Sequence, residues 1–302
     1  MFRLLSKESN IFSIPVYIGF LLLIIIAFNA MDINRLDAIS AVITFAGISL
    51  GYFLFNKLDL TYQTHLPLFL YTFYVFAFYP GDLSIGLAIT LLINSFLLLI
   101  LTSTSDKLRK GSYLLVGALL CINYLFLPIF WPLIFFVIIH IFVTSGKALA
   151  NLFRLFFGAL LILIIYFSVM YWMDYESWDN KYWPLSANFK MVNEFSNLYF
   201  ITPIILMIIY AVLDHFRHFN EKSPTSKYKY TFLLLFSSAF LISIILYMGT
   251  YYEMLLVLGL PVSIILSRML KFFPKYWMQE LGLWTIIMSL FLFKIAPYIF
   301  QI

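Results

Sequence analysis

The sequence predicts an all-α fold, a polytopic transmembrane helix bundle of eleven membrane segments with its N-terminus inside. Three observations predict it. Apolar runs of span length recur from residue 12 almost to the end of the chain. The runs are continuous, without the in–out alternation of barrel strands, and only helices and closed barrels satisfy their backbone groups in hydrocarbon. Almost every Lys and Arg falls in one alternating set of the gaps between runs, as the positive-inside rule requires.

Taken in order, the expected segments are Phe12–Ala30, Ala38–Asn56, Leu60–Tyr79, Leu83–Thr102, a pair within Tyr113–Thr144, Leu152–Trp172, Leu198–Asp214, Tyr230–Met248, Met254–Ser267 and Trp277–Ile299. Phe12–Ala30 is too long for a signal-peptide core and reads as a retained span. The region Tyr113–Thr144 carries Pro128 and Pro132 around Trp131. Basic residues flank it on both sides: Lys107, Arg109 and Lys110 before, Lys147 and Arg154 after. If both flanks face inward, the chain must go out and come back, and proline at the join disfavours a helix running through it. Each half then spans only about 22 Å at 1.5 Å per residue. With this folding, fifteen Lys and Arg lie inside and four outside, those four being Arg35, Lys181, Lys190 and Lys294, the last snorkelling from the final helix.

The whole of 1–302 is thus one transmembrane domain, with a main extracytoplasmic loop at 173–197 and a basic cytoplasmic loop at 215–229. The composition agrees. Hydrophobic residues make up 63% of the chain and charged residues 11%, against about 25% charged in soluble domains. The net charge of +5 is read as topology rather than as affinity for nucleic acid, and no nucleic-acid partner is expected. The single cysteine, Cys121, excludes an internal disulfide. No P-loop, G-x-S-x-G, H-E-x-x-H or dinucleotide fingerprint occurs, which excludes ATP hydrolysis and Rossmann chemistry, and no cofactor is expected.

Charges at mid-depth are nearly absent, which argues against ion-coupled transport. Asn94 and Asn123 are expected to bond helix to helix, and Gly47 with Gly51 to allow close helix approach.

The outer loop 173–197 holds Asp174, Glu176, Asp179 and Lys181, with Trp178, Tyr182 and Trp183 interleaved. Carboxylates beside aromatic faces suit a sugar or polyprenyl-phosphate ligand: rings stack on sugar, a carboxylate acts as base, a cation holds phosphate. Asp174, Glu176 and Asp179 are therefore the candidate catalytic residues. Arg35, Trp178, Lys181, Trp183 and Trp131 are the candidate substrate contacts. The competing reading is an aromatic belt at headgroup level. His65, His140, His215 and His218 are weak metal candidates, all at the inner ends of helices; only His215 and His218 share the i, i+3 spacing of a metal motif, and Asp214 stands beside them. This leaves a His-dependent membrane metallo-oxygenase as a remote alternative.

The stretches NYLFLPIFWPLIFFVII (Asn123–Ile139), KALANLFR (Lys147–Arg154) and LGLPVSIILSRMLK (Leu258–Lys271) give the chain a resemblance to a family of bacterial integral membrane proteins of about 300 residues with no settled activity. That resemblance implies a bacterial inner membrane and a many-helix fold. The position of the principal outer loop is also similar to that of polymerases and ligases acting on lipid-linked glycans, although the loop lacks their arginines. The expected partners are membrane lipids, with either a lipid-linked substrate or other envelope membrane proteins. Two functional expectations result: an envelope protein that binds or transfers an amphiphilic substrate at the outer face, or a non-catalytic scaffold of an envelope complex.

Overall fold

A computed structural model describes the chain except residues 11, 30–34, 59, 61–62, 104–105, 177–181, 183–197, 220–222 and 301–302, together with the side chains of 35–36, 106–111 and 298–300. Twelve α-helices make up the described fold: α1 Phe2–Leu5, α2 Ser13–Asn29, α3 Arg35–Leu58, α4 His65–Phe78, α5 Ile85–Leu101, α6 Asp106–Phe126, α7 Pro132–Thr144, α8 Ala148–Trp172, α9 Thr202–Arg217, α10 Pro224–Tyr247, α11 Gly259–Phe272 and α12 Tyr276–Phe300. No named strand is present among the described residues; one isolated bridge joins Glu8 to Thr64. Among the described residues six helical stretches are long and apolar enough to cross a membrane: Asp37–Leu58, Ala148–Trp172, Leu198–Arg217, Pro224–Tyr247, Tyr252–Phe272 and Tyr276–Pro297.

Local chemistry sets the helix starts. Ser84 and Ser223 cap α5 and α10 by accepting from the backbone N–H of Leu87 and Ser226, satisfying donors that a first turn leaves open. Pro132, Pro203 and Pro224 occupy first turns, where the missing N–H costs nothing. Gly81 and Gly249 take positive φ in the turns after α4 and α10, conformations that side chains oppose.

Two ends of the bundle can be read from side-chain contacts. At one end the N-terminal ammonium meets the Glu280 carboxylate at 2.8 Å. There Ser9 and Lys7 pair with Gln63 and His65 through their backbones. Lys229 reaches the Leu58 carbonyl, Tyr228 bonds Leu101 and His140, and Arg268 donates to Ser226. At the other end Ser40 bonds the Leu83 carbonyl, Gly86 abuts the Phe126 carbonyl, and Trp131 donates to Tyr247. Tyr124 bonds the Tyr182 carbonyl, Ser289 bonds that of Phe200, and Lys294 donates to that of Tyr79. Every helix from α2 to α12 therefore joins the two ends, even-numbered helices running away from the N-terminus and odd-numbered ones running back.

The reversal expected within Tyr113–Thr144 is present. The chain turns through a 3-10 stretch, Pro128–Phe130. α7 then returns antiparallel to α10, with Phe136 against Phe236 and His140 against Phe232. A second irregularity was not legible in the sequence. Residues Tyr252–Leu258 form a seven-residue 3-10 helix before α11, longer than such helices usually run. The amide of Asn94 donates to the Val257 carbonyl at 2.9 Å and so ties it to α5. Asn123 accepts from Thr90 at 2.7 Å, so both deep asparagines make the interhelical bonds expected of them.

Glycine sets the closest approaches. A Cβ on Gly47 would lie 2.8 Å from the Leu92 nitrogen, and one on Gly51 would lie 2.7 Å from the Tyr71 hydroxyl. The Gly47–Gly51 face is thus used inside the chain. A tighter contact joins α6 to α8, where a Cβ on Gly117 would come 1.9 Å from the Leu155 carbonyl oxygen and one on Gly158 would come 2.0 Å from that of Leu114. α8 is otherwise nearly bare, with only Asn151, Leu155 and Gly158 buried.

Candidate functional site

The sequence-selected residues are not gathered at one point. Asp174 and Glu176 lie just beyond the end of α8, both exposed, and Asp174 takes a positive φ of 56° in the turn. Trp131 is half-buried and held on α10 by a 3.0 Å bond from its indole N–H to the Tyr247 hydroxyl. Trp178, Asp179, Lys181, Trp183 and the Arg35 side chain lie outside the described residues. Tyr182, a neighbour in the same loop, packs against Tyr166 and accepts through its carbonyl from Tyr124. That contact places Tyr182 at the end of the bundle opposite the N-terminus, together with Trp131.

The four histidines do not converge. His65 packs against Tyr17. His140 bonds Tyr228 at 3.3 Å and His215 bonds Thr231 at 3.2 Å, each through Nε2. His218 meets the Asp214 carboxylate at 3.0 Å through Nδ1. Among the described residues no group of three His, Cys, Asp or Glu could hold a metal ion.

The structure instead draws attention to Lys294, which sequence reasoning treated as a snorkelling cation. Its ammonium donates to the Tyr79 carbonyl at 2.7 Å and stands 4.2 Å from the centre of the Phe28 ring, a cation–π geometry. Tyr79 accepts from the Asn29 amide at 2.7 Å and donates to the Gly81 carbonyl at 3.1 Å. The ends of α2, α4 and α12 are thereby locked together around one positive charge. Phe28, which carries that charge on its ring, is also the last residue of a lateral groove.

This groove lies between α2 and α4, encloses about 870 Å³ and is overwhelmingly apolar. Its walls are Val16, Phe20 and Leu23 from α2 and Phe69, Phe73 and Phe76 from α4, with Tyr17, His65 and Thr72 as sparse polar groups. Val16, Phe20 and Leu23 are more than half exposed, so the groove opens sideways. It follows α2 over about 25 Å at 1.5 Å per residue. An apolar trough of this length suits a long hydrocarbon chain better than a compact polar solute, and the Lys294 ammonium stands against the ring of Phe28 at its end. No spacing signal in the sequence marks it, because its two walls come from separate helices that read as ordinary apolar spans.

No curated protein and no solved structure matches the chain significantly. A family model does match, over residues 1–301. On that match the chain belongs to DUF6427, a family of unknown function.

Proposed function

We propose that this chain is a multi-pass protein of the bacterial inner membrane, part of the cell envelope. In this reading it has eleven membrane segments, its N-terminus faces inward, and it holds a lipid-linked or similar amphiphilic substrate at its outer end. The observation that carries the reading is the α2–α4 groove, which ends at Phe28, the ring that the Lys294 ammonium stands against. The hydrocarbon chain of the substrate lies in the groove among Phe20, Phe69 and Phe73, and its phosphate meets Lys294. Lys181 and Arg35 add positive charge from the outer loops, and Trp131, Trp178 and Trp183 offer faces for a sugar. Asp174, Glu176 or Asp179 serves as the base in any transfer step.

Two experiments test this reading. In purified protein, Lys294→Met and the groove-filling Thr72→Trp are each expected to weaken binding of a fluorescent polyprenyl phosphate about tenfold, roughly 1.4 kcal/mol. Unchanged binding in both variants overturns the groove reading. In cells, alanine at Asp174, Glu176 and Asp179 together should abolish complementation of a deletion, and full complementation removes the carboxylates from the mechanism. Orientation has its own measurement. Cysteines placed in 107–110 and in 147–154 are expected to label from the same, cytoplasmic side, and labelling from opposite sides refutes the eleven-segment arrangement.

A second reading is favoured by α8. Its apolar face bears Phe153 at 72% and Phe156 at 57% exposure, a flank suited to another membrane protein. A scaffold of that kind co-purifies with a stoichiometric partner, whereas recovery of the chain alone at native expression argues against it.

A further inference from the structure

We infer that a second groove, between α7 and α10, is a specific site for an anionic phospholipid of the leaflet that meets the N-terminal end of the bundle. This groove encloses about 500 Å³ and is independent of the α2–α4 groove and of the function proposed for it. Phe135, Ile139 and Val143 repeat at i, i+4 and i+8 along α7 and form one rim, more than half exposed. Leu235 and Ile242 of α10 form the other. The floor is apolar towards Trp131 and changes character towards the N-terminal end. There the groove is lined by Tyr228 and His140, which bond each other at 3.3 Å, and by the hydroxyl of Thr231. This band of two hydroxyls and one imidazole, between the apolar floor and the cationic mouth, matches the glycerol esters of a phospholipid.

Beyond it, at the mouth, stands Lys227, its ammonium 5.0 Å from the centre of the Phe219 ring, with Phe219 and Thr144 also lining the opening. The mouth sits on the first turn of the 24-residue helix α10, whose positive dipole end adds to the same field. Apolar tail, ester-compatible middle and cationic mouth thus follow one another in the order of the parts of a phospholipid. α7 is about 20 Å long at 1.5 Å per residue, enough for the chain of one leaflet, which is about half of a 30 Å hydrocarbon core. The charge at the mouth selects phosphatidylglycerol over zwitterionic phosphatidylcholine.

The test uses the full-length protein, delipidated in detergent and re-exposed to dioleoyl phosphatidylglycerol or dioleoyl phosphatidylcholine, with retained lipid read by native mass spectrometry. One retained phosphatidylglycerol per chain is expected, in at least tenfold preference to phosphatidylcholine. Lys227→Glu is expected to abolish that preference. Ile139→Trp, at an exposed rim position that tolerates bulk, is expected to expel the lipid while leaving the elution profile unchanged. Thr72→Trp, which fills the other groove, is expected to leave it bound. Equal retention of both lipids by the unaltered protein overturns the inference, as does retention of phosphatidylglycerol by Ile139→Trp. Loss of phosphatidylglycerol in Thr72→Trp also overturns it, by assigning the lipid to the α2–α4 groove.

Discussion

Replacing Gly117 or Gly158 with leucine is expected to lower the thermal unfolding temperature in detergent by on the order of 10 °C. The cause is geometric. A Cβ at either position would overlap a backbone carbonyl oxygen, at 1.9 Å from Leu155 and 2.0 Å from Leu114. A carbonyl within a helix cannot rotate aside as a side chain can, so α6 and α8 must move apart. In lipid the force holding two apolar helices together is close packing rather than burial from water. Separation therefore removes most of what docks α8, whose remaining surface is largely bare. Overpacking alone costs about 1–3 kcal/mol, and lost interhelical contact adds to it; a domain of this size shifts by roughly 2–4 °C per kcal/mol. The double variant should be little worse than either single one, because both mutations break the same contact. Gly19→Ala serves as the control, since nothing lies within 4 Å of a Cβ there. An unfolding temperature for Gly117→Leu within about 2 °C of the unaltered protein would show that α8 is not held by this contact.

The second large effect concerns Lys229. This side chain is only 9% exposed, and its ammonium donates to the carbonyl of Leu58, the last residue of α3, at 2.8 Å. The carbonyls of a final helical turn have no partner within the helix and carry the negative end of its dipole. A buried cation there satisfies one of them and neutralises part of the field. Lys229→Met keeps the aliphatic stem but leaves the carbonyl without its charged donor. The expected loss is about 2–3 kcal/mol, combining a charge-assisted hydrogen bond with the dipole interaction. Lys229→Arg should retain more than half of that stability. Equal unfolding temperatures for the methionine and arginine variants would mean that packing of the stem, not the charge, matters at this position.

Much of the architecture was legible because hydrocarbon imposes simple rules. Apolar runs marked the helices, and basic residues marked which ends belong together. The contacts of Lys229, Tyr228 and Arg268 near the N-terminal end follow the expected alternation of basic gaps. Proline and flanking charge located the reversal at Pro128–Phe130. What stayed hidden depends on partners far apart in sequence. Gly47 and Gly51 stand four apart in one helix, a spacing that marks them as a pair. Gly117 and Gly158 make the closer contact yet sit in different helices, with no local pattern to announce them. Lys294 looked like any cation near a helix end, since its partners Tyr79 and Phe28 are more than 200 residues away. The 3-10 helix at Tyr252–Leu258 was hidden for another reason. Its apolar sequence satisfies α and 3-10 geometry alike, and the packing of α5, through Asn94, accompanies the tighter form.

The short α7 has a mechanical consequence. Its 13 residues rise about 20 Å, while the 25 residues of neighbouring α8 rise about 37 Å. If both helices stand in a bilayer as proposed, the lipids along this flank meet a rim that nearly doubles in height between adjacent helices. Acyl chains there must compress on one side and stretch on the other, at a cost of fractions of a kcal/mol per ångström. In the membrane arrangement proposed above, that step is expected to enrich the flank in short or unsaturated chains and to make the protein's stability depend on the thickness of the bilayer that hosts it.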